Sequence, residues 1–188
     1  MTEKHFVSAE SLLLDSFRLG KKILDSRYRP NFIVALWRGG TTVGMAVQEL
    51  LTYCHIETDH IAIRTSKYPG GIDRPEEKVK VQGLDYIVER ANADDCLLIV
   101  DDVYDTGLSI KAVIDTLQER MRKNMPEQIK VATVYYKPRR NKTQRQPDYF
   151  IHEMESWIIF PHELQDLDDE ELRTGKGPNI YEIIEGFE

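Results

Sequence analysis

The fold is decided by the stretch Leu97-Leu98-Ile99-Val100-Asp101-Asp102-Val103-Tyr104-Asp105-Thr106-Gly107-Leu108-Ser109-Ile110. The four apolar residues at its start predict a strand that is buried on both faces, as strands of parallel sheets are. From residue 110 onward the apolar residues follow helical spacing, at Ile110, Val113, Ile114, Leu117 and Met121. The stretch therefore predicts a strand, a tight loop and a helix within an α/β fold.

The loop between this strand and this helix has the composition of a phosphate site. Ligands of open α/β sheets bind at the carboxyl ends of the strands. Thr106 and Ser109 supply two hydroxyls, and Gly107 can adopt a positive φ. Backbone N–H groups can then surround an anion at the start of the helix. These residues predict that the loop binds phosphate.

Three acidic residues border the same loop. Asp101 and Asp102 close the strand, and Asp105 lies inside the loop. Carboxylates repel phosphate, but they suit the hydroxyls of a sugar or Mg²⁺ held beside the sugar. Asp105 is then placed to take or give a proton on the group attached to that sugar. The alternative is that the acidic pair only closes a strand and that Ser109 only caps a helix.

The whole stretch, four apolar residues followed by Asp-Asp-x-x-Asp-Thr-Gly-x-Ser, resembles the 5-phosphoribosyl-1-pyrophosphate (PRPP) motif of the type I phosphoribosyltransferases. An acid at the position of Asp105 is typical of the members that act on 6-oxopurines. The resemblance implies an enzyme that transfers the 5-phosphoribosyl group from PRPP to hypoxanthine, guanine or xanthine, giving the nucleoside 5′-monophosphate and pyrophosphate. It also implies Mg²⁺ as the cofactor.

The resemblance assigns roles within this motif. Asp105 is the catalytic residue, which takes the N7 proton of the base or accepts its hydrogen bond. Asp101 and Asp102 hold the ribose hydroxyls and the metal. The 5′-phosphate is assigned to Thr106, Gly107, Leu108 and Ser109.

A second strand and glycine loop lie earlier in the chain. The apolar run 32–36 predicts a buried strand, and Arg38-Gly39-Gly40 follows it before a predicted helix. Two glycines let the backbone approach a ligand closely, and the guanidinium of Arg38 suits a diphosphate. The resemblance makes this the pyrophosphate loop, with Arg38 and Gly39 as ligands and a non-proline cis peptide before the first glycine. The alternative is a simple tight turn.

Residues 65–83 are polar and rich in glycine and proline, which predicts a long mobile loop with a short strand at 79–81. The resemblance makes it the loop that closes over PRPP and keeps water from the reacting sugar. Lys67 and Tyr68 are then contacts to PRPP. The alternative is a solvated, disordered insertion.

The purine would be recognised by the C-terminal third of the chain. A strand predicted at 129–136 ends at Lys137, whose ammonium can only donate hydrogen bonds. The resemblance places Lys137 at O6 of the base, where it selects a carbonyl and rejects the amino group of adenine. It also stacks Trp157 on the base, brings backbone groups of Ile158 to the base edge, and lets Glu163 help to hold Mg²⁺ on pyrophosphate. The alternatives are a surface lysine and a plain core tryptophan.

Composition restricts the partners and the compartment. The net charge of −7 argues against nucleic acid or an anionic membrane as the main partner. The basic run 139–145 is expected to be a solvated loop or a subunit contact. Since the N-terminus carries no apolar signal segment and no run approaches about 18 apolar residues, the cytoplasm is expected. Cys54 and Cys96 are expected to be reduced, buried thiols.

These patterns predict a single α/β domain over residues 1–188, an open parallel sheet of about five strands flanked by helices, with a small C-terminal hood. The core is expected at about 30–136, the hood at about 137–163 and an acidic tail at 164–188. An N-terminal helix is expected to start after Ser8 and to pack along Leu13, Phe17, Gly20 and Leu24.

Two matters of function stay open at this point. PRPP and a purine base are the expected ligands of a homodimer or homotetramer, but the sequence ranks neither the three 6-oxopurines nor the two assemblies. The other function considered is a non-catalytic regulator of the same fold that senses PRPP or a nucleotide.

Overall fold

The computed structural model describes residues 4–68 and 78–186. The strands are β1 (Lys4–Phe6), β2 (Phe32–Trp37), β3 (Asp59–Tyr68), β4 (Lys78–Gln82), β5 (Cys96–Tyr104), β6 (Gln128–Tyr136), β7 (Tyr149–Glu153) and β8 (Trp157–Ile159). The helices are α1 (Ala9–Asp25), α2 (Gly39–Tyr53), α3 (Asp85–Arg90), α4 (Leu108–Met121), α5 (Asp169–Glu171) and α6 (Pro178–Ile184). The chain divides into two compact units, a larger one of Asp15–Glu155 and a smaller one of Met1–Leu14 with Ser156–Glu188.

The larger unit is built on one sheet with the strand order β4-β3-β2-β5-β6-β7. Strands β3, β2, β5, β6 and β7 run parallel to one another, which confirms the predicted parallel sheet of about five strands. β4 joins the edge antiparallel to β3. Each parallel neighbour is reached through an intervening helix or long connection, as this strand arrangement requires.

The predicted mobile loop at 65–83 is wrong at its start, and the short strand predicted at 79–81 is confirmed as part of β4. Residues 65–68 belong to β3 and residues 78–82 to β4, and the two strands pair from Arg64 with Gln82 to Tyr68 with Lys78. Alternating Val79 and Val81 give β4 one apolar face, a pattern that fits a half-buried edge strand. The middle of the expected loop, 69–77, lies outside the described residues.

The core of the larger unit confirms the strand and helix of the opening stretch. Leu97, Leu98, Ile99 and Val100 are fully buried, as a central parallel strand requires. Leu97 and Ile99 share a cluster with Val113 and Leu117 of α4. Because both faces of β5 are covered, its carboxyl end is held rigidly where the acidic residues begin.

Helix α1 begins as expected but buries a different stripe. The N–H of Ser11 donates to Ser8 Oγ at 3.0 Å, which confirms the N-cap. Leu13 and Phe17 are nevertheless exposed, so the expected stripe is wrong. The buried residues of the helix are Leu12, Asp15, Ser16, Leu19, Gly20 and Ile23. The buried face of α1 is rotated by about one residue from the predicted face. It includes buried polar side chains, which a pattern of apolar residues does not reveal.

The smaller unit pairs the first described residues with the C-terminal part of the chain. β1, which the sequence does not predict, runs parallel to β8, with Lys4 opposite Trp157. Lys4 Nζ lies 2.6 Å from a carboxylate oxygen of Glu171, which also completes a capping box with Asp168. The expected short helix of the tail is α6.

The cysteines are unpaired, as expected, but they are not buried. Cys54 follows α2 and is exposed, and Cys96 at the start of β5 is partly exposed. Apolar neighbours in sequence do not bury a residue at a strand or helix end. Over the described residues, no helix combines the length and apolar content that crossing a bilayer requires.

Candidate active site

The loops singled out by the sequence meet at one edge of the sheet. β2 ends at Trp37, β5 at Tyr104 and β6 at Tyr136, and these three strands are parallel neighbours. The residues that follow them therefore lie side by side at the carboxyl ends of the strands, where open α/β sheets bind ligands.

The pyrophosphate loop is packed directly against the acidic pair. The peptide bond between Trp37 and Arg38 is cis, and the exposed Arg38 precedes the first turn of α2. A Cβ atom at Gly39 would lie only 1.5 Å from Asp102 Oδ2, and one at Gly40 would lie 2.6 Å from the carbonyl oxygen of Val100. The two glycines are thus required for the two loops to touch, and the binding of pyrophosphate by this loop stays a prediction.

The acidic pair is constrained by backbone hydrogen bonds. Asp102 is only 8% exposed, and its Oδ1 accepts the N–H of Val103 at 2.8 Å. Asp101 Oδ1 accepts the N–H of Asp102 at 3.0 Å. Burial, and then the neighbouring charge of Asp102, raise the pKa of the Asp101 carboxyl well above its ordinary value. Two crowded carboxylates are suited to a ligand that brings hydroxyl donors or a cation.

This raised pKa predicts a stability effect for Asp101→Asn. Between the ordinary pKa of aspartic acid and the raised pKa of Asp101, the folded protein binds more protons than the unfolded chain, so its stability falls as pH rises through that interval. The Asn variant has no carboxyl group at this position, so it does not lose stability through ionisation of residue 101. We expect its free energy of unfolding to exceed that of the wild type at pH 7, measured in urea without metal, with the difference shrinking towards acid.

Asp94→Asn is the control for this measurement, because Asp94 is exposed. Its difference from the wild type is expected to be small and flat with pH. An Asp101→Asn variant less stable than the wild type at pH 7 would contradict the account.

The predicted phosphate loop has the backbone of an anion site. Gly107 has a φ of +75° and precedes α4, which begins at Leu108. The N–H of Lys111 donates to the carbonyl of Gly107 at 2.9 Å and closes the first turn. The first N–H groups of a helix have no partner within it, which is the arrangement that can bind an anion. The positive φ expected of Gly107 is confirmed, and phosphate binding stays a prediction.

Lys137 follows β6, is buried, and contacts the end of β5. The N–H of Lys137 donates to the carbonyl of Tyr104 at 2.9 Å, so the residues after β5 and β6 stay in register. Lys137 is 4% exposed, which excludes the surface lysine as an alternative. The side chain of Asp105 is 31% exposed, and its Oδ1 lies 2.6 Å from Nε of Arg140.

The basic run 139–145 exposes side chains to solvent, as expected, but it is also held against the end of β5 by hydrogen bonds. The N–H of Lys142 donates to the carbonyl of Thr106 at 3.0 Å. The hydroxyl of Tyr104 donates to the carbonyl of Arg145 at 2.9 Å and lies 3.0 Å from Thr143 Oγ1. A tyrosine inside a buried strand needs a partner for its hydroxyl. That requirement was the one signal in the sequence that could have placed this loop beside the phosphate loop.

The remaining expected site residues are not part of the loops that follow β2, β5 and β6. The side chains of Lys67 and Tyr68 lie outside the described part. Trp157, Ile158 and Glu163 belong to the smaller unit, where Trp157 is half exposed and Ile158 is buried. One carboxylate oxygen of Glu163 accepts the N–H of Phe160 at 3.0 Å. Their roles towards base and metal stay predictions.

The acidic pair fits Mg²⁺ only as part of a ligand complex. Among the described residues, no group of three or more His, Cys, Asp or Glu side chains could hold a metal ion. Mg²⁺ usually binds proteins through one or two carboxylates and completes its shell with substrate phosphates and water. Asp101 and Asp102 supply that number of carboxylates.

Comparisons with known proteins agree with this geometry. The family model of the phosphoribosyl transferase domain matches residues 8–169. A hypoxanthine-guanine phosphoribosyltransferase of Lactococcus lactis is 29% identical over 151 residues, which cover 78% of this chain and 74% of the relative.

Solved structures of purine enzymes are also similar. A purine phosphoribosyltransferase of Pyrococcus horikoshii is 28% identical with a TM-score of 0.68, covering 88% of this chain and 97% of that one. A xanthine-guanine-hypoxanthine phosphoribosyltransferase of Helicobacter pylori shares the fold, at 23% identity and a TM-score of 0.63, over 84% of this chain and 92% of that one.

Proposed function

Because the chain belongs to the phosphoribosyl transferase domain family, we propose that it is a purine salvage enzyme that transfers the 5-phosphoribosyl group of PRPP to a 6-oxopurine. The products are the nucleoside 5′-monophosphate and pyrophosphate. The observation that carries the proposal is that the loop after β5, which holds Asp105, and the buried Lys137 at the end of β6 are joined by the backbone hydrogen bond from Lys137 to Tyr104.

The phosphate loop fixes one end of PRPP. The 5′-phosphate binds the N–H groups at the start of α4 with the hydroxyls of Thr106 and Ser109, and Leu108 contributes its backbone. Asp101 and Asp102 accept hydrogen bonds from the ribose hydroxyls. Arg38 and the backbone of Gly39 bind pyrophosphate at the neighbouring strand end. Anchoring both ends of PRPP holds C1 of the ribose in place for attack.

The base is activated through its N7 edge. Asp105 accepts the N7 proton of the purine, or its hydrogen bond, which leaves N9 free to attack C1 of the ribose. The C1–oxygen bond to pyrophosphate breaks as the C1–N9 bond forms, and the bonding electrons leave with pyrophosphate. Positive charge on the ribose is stabilised by the acidic pair.

Mg²⁺ fits as the cofactor, held by Asp101 and Asp102 together with oxygens of PRPP, and Glu163 is the third residue we assign to it. When bound, it neutralises charge on the departing pyrophosphate. Lys67 and Tyr68 are proposed as further contacts to PRPP. Trp157 is proposed to stack on the base, and Ile158 to bind the base edge through its backbone.

Lys137 gives the site its preference for 6-oxopurines. An ammonium donates to the O6 carbonyl and has no lone pair to accept from the amino group of adenine. We expect Lys137→Met to lower kcat/KM for hypoxanthine by about 20-fold, the usual scale for losing a hydrogen bond to a charged group. Steady-state assays with hypoxanthine and adenine measure this.

Lys142→Met serves as the matched control, because the exposed Lys142 uses only its backbone N–H to contact the phosphate loop. It should keep kcat/KM within about twofold of the wild type. Equal values for Lys137→Met and the wild type would refute the assignment of O6 recognition to Lys137.

We also propose a homodimer or homotetramer. Met45 and Tyr53 of α2 are large apolar residues that are 65% and 83% exposed, which favours burial against another copy. Sedimentation equilibrium tests it. The proposed compartment is the cytoplasm, where free thiols such as Cys54 and Cys96 stay reduced.

A further inference from the structure

We propose that Arg140 positions the catalytic carboxylate, by holding Oδ1 of Asp105 so that Oδ2 faces the purine. This rests on the proposed function, and it assigns a role to a residue that the family motif does not contain. Arg140 follows Lys137 by three residues and lies in the basic run 139–145, for which the sequence predicted no catalytic role.

The two carboxylate oxygens of Asp105 have different surroundings. Oδ1 is buried and lies 2.6 Å from Nε of Arg140, without the alignment of a hydrogen bond. The side chain as a whole is 31% exposed, and this exposed surface lies on its other atoms. The oxygen that an incoming base can reach is therefore Oδ2. An arginine on Oδ1 fixes the rotation of the carboxylate about its bond to Cβ.

Arg140 is itself held by the backbone around it. Residues Pro138–Arg140 form a short helical turn, in which the N–H of Arg140 donates to the carbonyl of Lys137 at 3.2 Å. The N–H of Arg139 donates to Glu155 Oε1 at 2.9 Å. Beyond the turn, Lys142 is bound to the carbonyl of Thr106. The turn is thus anchored on both sides of the guanidinium.

The same turn carries the group that reads the base. O6 and N7 are neighbouring atoms on one edge of a 6-oxopurine. Lys137, at the start of the turn, is the proposed partner of O6, and Arg140, at its end, holds the acid that meets N7. One short turn therefore sets the spacing of both contacts, which couples recognition of the carbonyl to the placement of the catalytic carboxylate.

The ion pair is suited to positioning and contributes little to stability. The side chains of Arg140 and Asp105 are 45% and 31% exposed, and solvent screens pairs of this kind. Removing the guanidinium should leave the fold intact. A carboxylate free to rotate, however, spends less time in the orientation that accepts from N7, and small misplacements of catalytic groups reduce rates strongly.

The test compares Arg140→Gln and Arg140→Lys with Arg139→Gln. Arg139 is a neighbouring arginine that contacts Glu155 through its backbone N–H. We expect Arg140→Gln to lower kcat with a 6-oxopurine about tenfold while KM for PRPP changes less than about twofold. Arg140→Lys should regain most of the lost kcat, since it restores the charge. Arg139→Gln should match the wild type, and all three should keep its thermal midpoint.

The inference is overturned if Arg140→Gln matches Arg139→Gln in kcat, if Arg140→Lys is no better than Arg140→Gln, or if the loss of kcat is accompanied by an equal loss of thermal stability. None of these outcomes contradicts the proposed function, because the wild-type enzyme is active in each case. A wild type that turns over no 6-oxopurine would overturn the proposed function, and this inference with it.

Discussion

Asp105→Asn is expected to lower kcat for ribosyl transfer to hypoxanthine, guanine or xanthine by about 1,000-fold, within the range for losing a general acid–base group. The amide retains the size of the carboxylate but has no charge and cannot take the N7 proton. Asp105 lies in the loop after β5, beyond the acidic pair that we propose binds the ribose. We therefore expect KM for PRPP to stay within about threefold of the wild type. Steady-state kinetics separates the two constants.

Asp115→Asn is the control for charge. Asp115 is an exposed acid of α4, 2.5 Å from Nζ of Lys111 and outside the proposed site. It should retain wild-type kcat. An Asp105→Asn enzyme with kcat near that of the wild type would show that N7 is not activated by this residue. A large rise in KM for PRPP would instead make Asp105 a ligand of the sugar.

Gly39→Ala is expected to lower kcat/KM for PRPP by at least about 100-fold, because catalytic groups displaced by about 1 Å lose rate on this scale. The new Cβ would lie 1.5 Å from Asp102 Oδ2, far inside contact distance. Either the pyrophosphate loop or the acidic pair must move away. Both bind PRPP in this account, so either movement separates the ligands of pyrophosphate from those of the ribose. Overpacking should also cost about 2 kcal/mol of unfolding free energy.

Gly20→Ala is the matched control, since it adds the same methyl group to a helical glycine. The nearest atom to a Cβ at Gly20 is Leu50 Cδ2 at 2.9 Å, the end of a flexible side chain that can turn aside. Kinetics should be unchanged there. If Gly39→Ala keeps wild-type KM for PRPP, the contact between the two loops is not needed for binding.

The central strand and its ligand loop could be predicted from sequence because their determinants are local. Four adjacent apolar residues at 97–100 can only be buried on both faces, and Gly107 is the residue that tolerates the φ of +75° found before α4. The place of Lys137 at the end of β6 was predicted in the same way, but its burial was not.

Features that depend on distant partners could not be predicted. β1 is a strand only because it pairs with β8, more than 150 residues later. Asp15 is buried on α1 because Arg18 and His152 meet its carboxylate, each at 2.8 Å. An apolar pattern treats such a residue as exposed and rotates the helix wrongly. The basic run 139–145 looks solvated in sequence, yet Tyr104 and Thr106 hold it by hydrogen bonds.

The start of the expected mobile loop was predicted wrongly for a related reason. Glycine and proline within 65–83 mark a break in regular structure, but they do not show where the break begins. Residues 65–68 extend β3 because 78–82 pair with them. An edge strand of this kind is stabilised by its neighbour more than by its own composition.

The most direct test of the account is an assay of the wild-type protein with PRPP and Mg²⁺ against hypoxanthine, guanine, xanthine and adenine in parallel. The account predicts conversion of at least one 6-oxopurine to its nucleoside 5′-monophosphate, with pyrophosphate released in equal amount, and no conversion of adenine. Turnover of adenine would contradict the role of Lys137. No turnover of any base, while PRPP still raises the thermal midpoint, would contradict the enzyme and leave a protein that only binds PRPP.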